Sequence, residues 1–402
     1  MQTRMERAVH LIWFTVCVDV KDGQTFTLSS DAGGEQDFTA LITGSGGLTV
    51  DAPGSTVELG NAATEEKNSY TGATTVTSGT TVVLVEDDAM GHTSSLDAVG
   101  DVTLNDGVHQ TVDGLTGTGV ITLGDNSVFT LDQSGDASIF NTLAGNGTFA
   151  VNGPSTTDTV DVEFKTDFVF NGNLSFTNAN FDLAYTNNQD VAANEHVTLG
   201  DGSSLHLGEG GSTVGSLTIA SSGAKLDAVP LVIGSDDPAL SMSGTLTLQT
   251  DADIALESIS VQEDLSLVDY DQGSHFQDLI TADRGINGSG TLTVTDPTEL
   301  SGLTLDYTQR KDGESVTVAK TTWNITGELK PSDSSNSMQI GAELTAINIL
   351  GDLVLSGSGN VDLTATVTDS GAGSLTFTPA ESGGNVYFTV AGQNDYDVAT
   401  TG

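Results

Sequence analysis

Closely spaced carboxylates are the residues of this sequence best suited to acid–base chemistry. The candidate pairs are Asp87-Asp88, Asp236-Asp237 and Asp251/Asp253. A glycoside hydrolase needs two carboxylates at a set separation across a cleft, and a pectate-type lyase needs clustered aspartates on Ca²⁺ with a basic residue. The chain has only 11 Lys+Arg, and no basic residue stands in a recognisable arrangement with these acids, including Lys165, Lys225 and Arg284. We therefore expect no enzymatic activity and no catalytic residue.

Other residue types that carry chemistry are also sparse. Cys17 is the only cysteine, so no disulfide can form within the chain, and it lies in an apolar run. The six histidines form neither a His-x-His nor a His-Glu-x-x-His pattern; they are His10, His92, His109, His196, His206 and His275. The segment 357–363 loosely resembles a calcium-binding nonapeptide but is not repeated in tandem. We therefore expect no metal site and no cofactor.

Composition limits the class of protein and its partners. The formal net charge is -44, from 55 Asp+Glu against 11 Lys+Arg. Such a charge repels phosphates, which argues against binding to nucleic acid or to anionic lipid. Hydrophobic residues make up 37% of the chain and aromatic residues only 5%. The core must therefore consist of small and β-branched side chains, and 48 glycines against 7 prolines favour many short strands joined by tight turns.

A repeated phrase predicts how these strands are organised. A glycine turn precedes alternating apolar and Thr/Ser residues at several places, among them 46–50, 117–123, 215–219 and 244–248. Alternation with a period of two is typical of a half-buried strand. Successive phrases lie roughly 19 to 29 residues apart, which is enough for one solenoid turn of three strands and three corners. We predict an all-β fold, a right-handed parallel β-helix over residues 36–402, with about 16 to 20 rungs spaced by ~4.8 Å.

The two ends of the chain show weaker patterns. Residues 1–35 are predicted to form an N-terminal segment or cap. The apolar run 8–18 follows Arg4 and Arg7 and resembles part of a signal peptide, with a first strand as the alternative. The segment 330–337 is the most loop-like stretch and is expected to project from one rung.

One segment, 68–84, resembles the passenger-associated transport repeat of autotransporters. The family pattern is Asn-x-Tyr-Thr-Gly-x-Thr-x-(Val/Ile)-x-x-Gly-Thr-x-x-(Leu/Val). The matching positions are Asn68, Tyr70, Thr71, Gly72, Thr74, Val76, Gly79, Thr80 and Leu84. The resemblance implies an autotransporter passenger of type V secretion, in which this repeat assists secretion or folding. From the residues alone, we expect Tyr70 to cover one edge of the stack and Gly72 and Gly79 to make turns.

The resemblance also implies a location and partners. Autotransporters end in an outer-membrane translocator barrel, and no segment here shows its pattern, so we expect a fragment, a truncated gene product or a passenger separated from its translocator. We expect a chain that is displayed on the surface of a Gram-negative bacterium and adheres to a host or bacterial surface ligand. Two alternatives remain: a β-helix polysaccharide lyase or hydrolase, and an inert stalk.

Overall fold

The computed structural model describes most of the chain in fifteen stretches. These are residues 17–30, 33–60, 67–165, 170–182, 195–207, 212–270, 275–295, 300–327, 329–331, 336–357, 361–363, 365–369, 374–379, 386–388 and 398–399. The chain divides into two compact units. Unit 1 comprises Met1–Gly208, Ser212–Lys225 and Met242–Thr250, and unit 2 comprises Glu209–Gly211, Leu226–Ser241 and Asp251–Gly402.

The protein is nearly all-β, with 60% strand and 2% helix, and its parallel coils form a β-solenoid of about 14 turns. The prediction of a stacked parallel β-helix is confirmed. The strands of unit 1 before residue 220 are β1 Cys17–Val20, β2 Thr25–Ser29, β3 Gly34–Phe38, β4 Leu41–Gly44, β5 Gly47–Asp51, β6 Ser55–Leu59, β7 Thr74–Val76, β8 Thr81–Leu84, β9 Leu96–Ala98, β10 Asp101–Leu104, β11 His109–Val112, β12 Leu115–Thr116, β13 Val120–Leu123, β14 Val128–Asp132, β15 Ala137–Ile139, β16 Thr142–Gly145, β17 Thr148–Asn152, β18 Val160–Phe164, β19 Asn173–Thr177, β20 Ala179–Asp182, β21 His196–Leu199, β22 Ser204–His206, β23 Ser212–Val214 and β24 Ser216–Ile219.

The remaining strands continue in chain order, and β27 among them belongs to unit 1. They are β25 Lys225–Ile233, β26 Leu240–Met242, β27 Leu246–Leu248, β28 Ala252–Val261, β29 His275–Ala282, β30 Ile286–Gly288, β31 Leu292–Val294, β32 Ser301–Lys311, β33 Glu314–Ile325, β34 Lys330–Pro331, β35 Ser337–Ile349, β36 Leu353–Gly357, β37 Val361–Leu363, β38 Thr366–Asp369, β39 Leu375–Pro379, β40 Val386–Phe388 and β41 Val398–Ala399. A single-turn 3₁₀ helix at Leu267–Tyr270 is the helical element of the described residues.

Unit 1 is a stack of parallel coils whose strands fall on separate faces. Its sheets run β16-β13-β10-β8-β6-β3, β12-β9-β7-β5-β2, β15-β18-β20-β22, β1-β4 and β11-β14-β17-β19-β21-β24-β27. Residues at equivalent positions of successive coils pair with each other. Val102 pairs with Ile121 across a short coil, and Leu217 pairs with Leu246 across a long coil. The spacing of the repeated phrase in the sequence is therefore the length of one coil.

The first coil of the described residues begins inside the segment 1–35, which the sequence predicted as a cap. Strands β1, β2 and β3 pair in parallel with β4, β5 and β6. Residues 17–29 and 34–38 thus belong to the solenoid. Residues 8–16 of the apolar run lie outside the described residues.

Inward side chains form ladders along the stack of unit 1. In β10 and β13, Val102 pairs with Ile121 and Leu104 with Leu123, and all four are fully buried. Burying such a side chain contributes about 1.5–3 kcal/mol. Phenylalanines continue the same pattern; the rings of Phe129 and Phe149 stack with centroids 5.6 Å apart. Both rings are fully buried in the interior of unit 1.

Glycine allows neighbouring coils to approach closely at the corners. A Cβ on Gly119 would lie 1.9 Å from the carbonyl oxygen of Gly100 in the coil before it. No side chain can be accommodated at that distance, so the recurring Gly-x-Gly phrase keeps the coils at strand spacing.

Unit 2 departs from a purely parallel stack. Strands β29, β35, β33 and β32 form an antiparallel sheet in that order, while β36-β39 and β37-β40 are parallel. β32 and β33 join through Asp312 and Gly313, both at positive φ, as a tight hairpin turn requires. The coil that links Ala252 to Leu292 is about twice as long as the one that links Val102 to Ile121. Long strands and long coils in this unit reduce the number of turns below the predicted count.

The loop predicted at residues 330–337 is partly a strand. Within the predicted loop 330–337, Lys330 and Pro331 pair with Gln339 and Met338 of β35, and residues 332–335 lie outside the described residues. In the described part of the chain, no helix has the length and apolar character to span a membrane.

Candidate functional site

The segment that resembles the transport repeat, residues 68–84, contributes a buried polar network to the interior of unit 1. Asn68 is 5% exposed and connects the coil before it to the coil after it. Its Oδ1 accepts a hydrogen bond of 2.7 Å from the backbone N–H of Ile42, and its Nδ2 donates one of 2.6 Å to the carbonyl of Ala89. The side-chain amide therefore replaces strand pairing at this level of the stack.

Tyr70 continues this network. The ring is completely buried, so Tyr70 does not cover an edge of the stack as the sequence suggested. Its hydroxyl bonds to that of Thr74 at 2.7 Å, and Thr74 bonds to Thr93 at 2.9 Å. Thr93 in turn donates to the carbonyl of Gly72 at 2.8 Å. Burial raises the pKa of Tyr70, and the bond to Thr74 opposes that rise.

The glycines of this segment allow close approach and a turn at the corners of the coil, and its threonines form hydrogen bonds there. A Cβ on Gly72 would lie 2.4 Å from the carbonyl carbon of Gly46, while Gly79 takes a φ of 76° at a turn. The hydroxyl of Thr80 accepts a 2.9 Å bond from the N–H of Ala52. Thr71 is exposed, and its N–H donates to Gly44 at 3.0 Å.

Two apolar positions of the segment belong to inward ladders. Val76 pairs with Val50 and Ala98, and Leu84 pairs with Leu59 and Leu104. Apart from the exposed Thr71, the pattern residues therefore have identifiable packing, turn or hydrogen-bonding roles inside the stack. The arrangement is suited to holding three coils together rather than to chemistry.

The acidic pairs proposed from the sequence mostly bind the next coil. The carboxylate of Asp87 accepts a 2.8 Å bond from the N–H of His109, and Lys67 lies 3.5 Å from Asp87 and 3.7 Å from Asp88. Asp251 accepts both the N–H and the hydroxyl of Thr291 at 2.9 Å. These bonds favour the ionised form, so the pKa values of Asp87 and Asp251 are lowered.

Among the basic residues weighed for a lyase, Lys165 pairs with Glu163. Asp237 lies in a bend where its N–H bonds to the Ser235 hydroxyl. In the described residues, the acid pairs are thus turn and coil-linking groups, and the structure does not bring them together across a cleft.

The same coil-linking pattern recurs at the exposed corners of unit 1. The carboxylate of Asp106 accepts the N–H of Asp125, and that of Asp125 accepts the side-chain amide of Asn146. Asp132 accepts the amide of Asn152 on the following coil. Several exposed aspartates of unit 1 therefore connect successive coils.

Acid should weaken these connections. Because the folded-state pKa of Asp87 is below its ordinary 3.8, its contribution is present above pH 3.8 and is lost as the pH falls through the lower, folded value. We expect the melting temperature to drop on acidification, and the variant Asp87→Asn to show a smaller drop than the native chain. Thermal melting followed by circular dichroism across the acidic range measures both. An unchanged pH dependence in Asp87→Asn would refute the assignment.

The histidines, the cysteine and the calcium-like segment considered from the sequence lie at separate places in the fold. The Nε2 of His196 lies 2.9 Å from the hydroxyl of Thr218, and burial lowers the pKa of His196. His206 lies in β22, in a different sheet. Cys17 is exposed, with its sulfur 3.7 Å from the Thr43 hydroxyl. The calcium-like segment 357–363 includes residues 358–360, which lie outside the described residues.

One acidic cluster was not singled out from the sequence. Carboxylate oxygens of Glu35, Asp37 and Glu58 lie within 4.8 Å of one another on β3 and β6. Burial, followed by the charges of Asp37 and Glu35, raises the pKa of Glu58. Oxygen groups of this kind can hold a divalent cation. Sequence reasoning missed the cluster because Asp37 and Glu58 are distant along the chain and meet only through coil register.

A second feature that the sequence did not indicate lies on the sheet formed by β11, β14, β17, β19, β21, β24 and β27. Its side chains at two register positions, here called the threonine face, include no carboxylate, lysine or arginine in these described strands. Thr218 among them is buried, and at the next outward position β14 ends in the exposed Asp132. One row is His109, Val128, Thr148, Asn173, His196 and Ser216, and the other is Thr111, Thr130, Ala150, Ser175, Thr198, Thr218 and Thr247. This is an uncharged strip along seven coils of a protein with a net charge of -44.

Comparison with known proteins gave no match from which a function could be assigned. No protein-family model matches the chain, and neither a curated protein nor a solved structure matches it.

Proposed function

We propose that the chain is the adhesive passenger of an autotransporter, displayed on the outer surface of a Gram-negative bacterium. The observation that carries the proposal is the threonine face, a regularly spaced set of mostly half-buried side chains along seven parallel coils that includes no carboxylate, lysine or arginine. Attachment requires side chains that a ligand can contact, and the partly exposed hydroxyl and methyl groups of this face provide them. The ligand is a host or bacterial surface, and an outer-membrane translocator barrel is the partner for export.

The network around Asn68 and Tyr70 supports the passenger assignment. A chain exported unfolded must fold outside the cell, and a solenoid folds by adding coils to those already formed. Asn68 bonds to the coil before and the coil after its own. It is therefore placed to fix the register of three coils as they are added.

Surface display provides the test. The chain would be fused to a competent translocator barrel in cells that do not aggregate, with the barrel alone as the control. We expect cell aggregation or attachment to host cells or abiotic surfaces to rise about tenfold above the control, because many displayed copies act together. Display of the folded chain without any gain in attachment would contradict the adhesive proposal and favour an inert stalk.

A further inference from the structure

We infer that Asn287 is a site of spontaneous deamidation, at which water replaces the side-chain amide nitrogen while the chain is folded. The sequence contains four Asn-Gly dipeptides, which begin at Asn146, Asn152, Asn171 and Asn287. Asparagine is most prone to this reaction when glycine follows it, because glycine has no Cβ to hinder the approach of its own backbone nitrogen. The structure places Asn287 in a different environment from the other dipeptides.

Two of the four side chains are held by carboxylates of the preceding coil. The Nδ2 of Asn146 donates a 3.0 Å hydrogen bond to Asp125, and the Nδ2 of Asn152 donates a 2.9 Å bond to Asp132. Hydrogen bonds to an ionised acceptor are stronger than those between neutral groups. Each must break before the side chain can rotate onto the backbone nitrogen that attacks it.

The glycines of the three dipeptides in unit 1 are also fixed. The N–H of Gly147 donates to the carbonyl of Leu123 at 3.2 Å, and the N–H of Gly153 donates to the carbonyl of Thr177 at 2.8 Å. Gly172, in the third dipeptide, is buried, and a Cβ there would lie 2.2 Å from the carbonyl oxygen of Gly147. Attack by these backbone nitrogens therefore requires the coils to open locally.

Asn287 lies on the surface of unit 2. Strand β30, Ile286–Gly288, has three residues, and both Asn287 and Gly288 are exposed. Within the described part of the chain, the side chain of Asn287 has no hydrogen-bond partner. Gly288 takes a φ of 98°, so the backbone leaves the extended conformation directly after Asn287. The amide can therefore rotate towards the nitrogen of Gly288 without breaking a bond of its own.

The reaction needs water as its only co-reactant. The backbone nitrogen of Gly288 loses its proton and attacks Cγ of Asn287, while the bond from Cγ to the side-chain nitrogen breaks. That nitrogen takes up a proton and leaves as ammonia, which gives a five-membered succinimide. Water then adds to either carbonyl group of the ring. One product is an aspartate at position 287, and the other is an isoaspartate, whose backbone runs through the former side-chain carbonyl carbon.

The strand that follows should limit the effect to this corner. Asp251 accepts two hydrogen bonds from Thr291, and Ala252 pairs with Leu292, so β31 remains anchored a few residues after Asn287. Either product adds one carboxylate to the surface. We therefore expect an aged chain that is folded and carries one more negative charge than a fresh chain.

Peptide mass spectrometry of the purified chain tests the inference. The chain is incubated for days at neutral pH, once folded and once in guanidinium chloride, and each Asn-Gly peptide is followed for conversion of the amide to an acid. In the folded chain, we expect Asn287 to convert at least about tenfold faster than Asn146 or Asn152, because a hydrogen bond to a charged acceptor must first open at those two sites. In denaturant, the three sites should convert at similar rates, since only the fold protects Asn146 and Asn152.

Asn287→Gln is the matched control, because glutamine keeps an amide but would have to close a six-membered ring, which forms far more slowly. An isoaspartate-specific methyltransferase should label the aged native chain and leave the aged Asn287→Gln chain nearly unlabelled. Circular dichroism establishes that both are folded. Equal rates at Asn287, Asn146 and Asn152 in the folded chain would overturn the inference. Conversion of Asn287 in denaturant alone, or labelling that persists in Asn287→Gln, would do so as well.

Discussion

Tyr70→Ala should destabilise the protein by about 3–5 kcal/mol, the usual cost of removing a buried aromatic side chain. The ring is completely buried in unit 1, and its loss leaves a cavity between coils. It also removes the hydroxyl that bonds to Thr74 at 2.7 Å. Urea unfolding followed by circular dichroism would show this as a lower midpoint of the transition that includes unit 1.

Two matched variants separate the contributions to this effect. Tyr70→Phe keeps the ring and removes only the hydroxyl, and Thr74 retains its bond to Thr93, so the expected loss is about 1 kcal/mol. Phe140→Ala removes an aromatic ring that is 49% exposed, so its effect should remain below about 1 kcal/mol. Equal losses in Tyr70→Ala and Phe140→Ala would contradict a core role for Tyr70.

Under the proposed function, Tyr70→Ala should also lower display. A destabilised coil near Asn68 would slow the addition of later coils and leave more chain unfolded and open to proteases. Surface labelling of intact cells, compared between Tyr70→Ala and Tyr70→Phe, measures this. Normal display in Tyr70→Ala despite lower stability would separate the folding role from the export role.

Glu195→Gln should stabilise the folded chain above neutral pH by an amount on the order of 4 kcal/mol. Glu195 is only 1% exposed. Its Oε1 accepts a 3.1 Å bond from the N–H of Phe170, while its Oε2 has no hydrogen-bond partner among the described residues. Burial raises the pKa of Glu195 to about 8, and the Phe170 bond opposes that rise.

The direction of the pH effect follows from this pKa. The folded chain holds a proton on Glu195 that the unfolded chain releases above its ordinary pKa of 4.5. The contribution of Glu195 to the free energy of unfolding is therefore greatest below pH 4.5. It declines as the pH rises towards the pKa of Glu195 in the folded chain, which is about 8. Glutamine is neutral at every pH and keeps the oxygen that accepts from Phe170.

Urea unfolding of the native chain and Glu195→Gln at a series of pH values measures this difference. The two curves should nearly coincide near pH 4.5 and separate steadily up to about pH 8. Glu163→Gln provides a control, because Glu163 is only partly buried and pairs with Lys165. Parallel curves for the native chain and Glu195→Gln would show that Glu195 ionises normally when folded.

The sequence predicted the buried polar residues of unit 1 only in part. The pattern around Asn68 indicated a special segment, yet nothing in the residues placed Asn68 between Ile42 and Ala89, which belong to other coils. Glu195 gave no signal at all, since a glutamate is ordinarily exposed. Its burial depends on how Phe170 and the neighbouring coils close over it.

The hairpin of β32 and β33 was missed for a different reason. Residues 301–311 and 314–325 alternate as the other strands do, and alternation alone does not distinguish parallel from antiparallel pairing. The tight turn at Asp312-Gly313 was the available signal, because such dipeptides favour two-residue hairpins.

By itself the sequence determined that the chain is all-β and that Leu, Val and Phe alternate with Thr and Ser. It also determined the length of the coils of unit 1, which follows from the spacing of the repeated phrase. These properties are local, because side chains of a strand point to opposite faces in turn. Only the tertiary structure decided which coils stand in register. Coil length varies, so the alignment of Ser175 with Thr198, or of Asp37 with Glu58, arises when inward ladders pack and backbone hydrogen bonds close between coils.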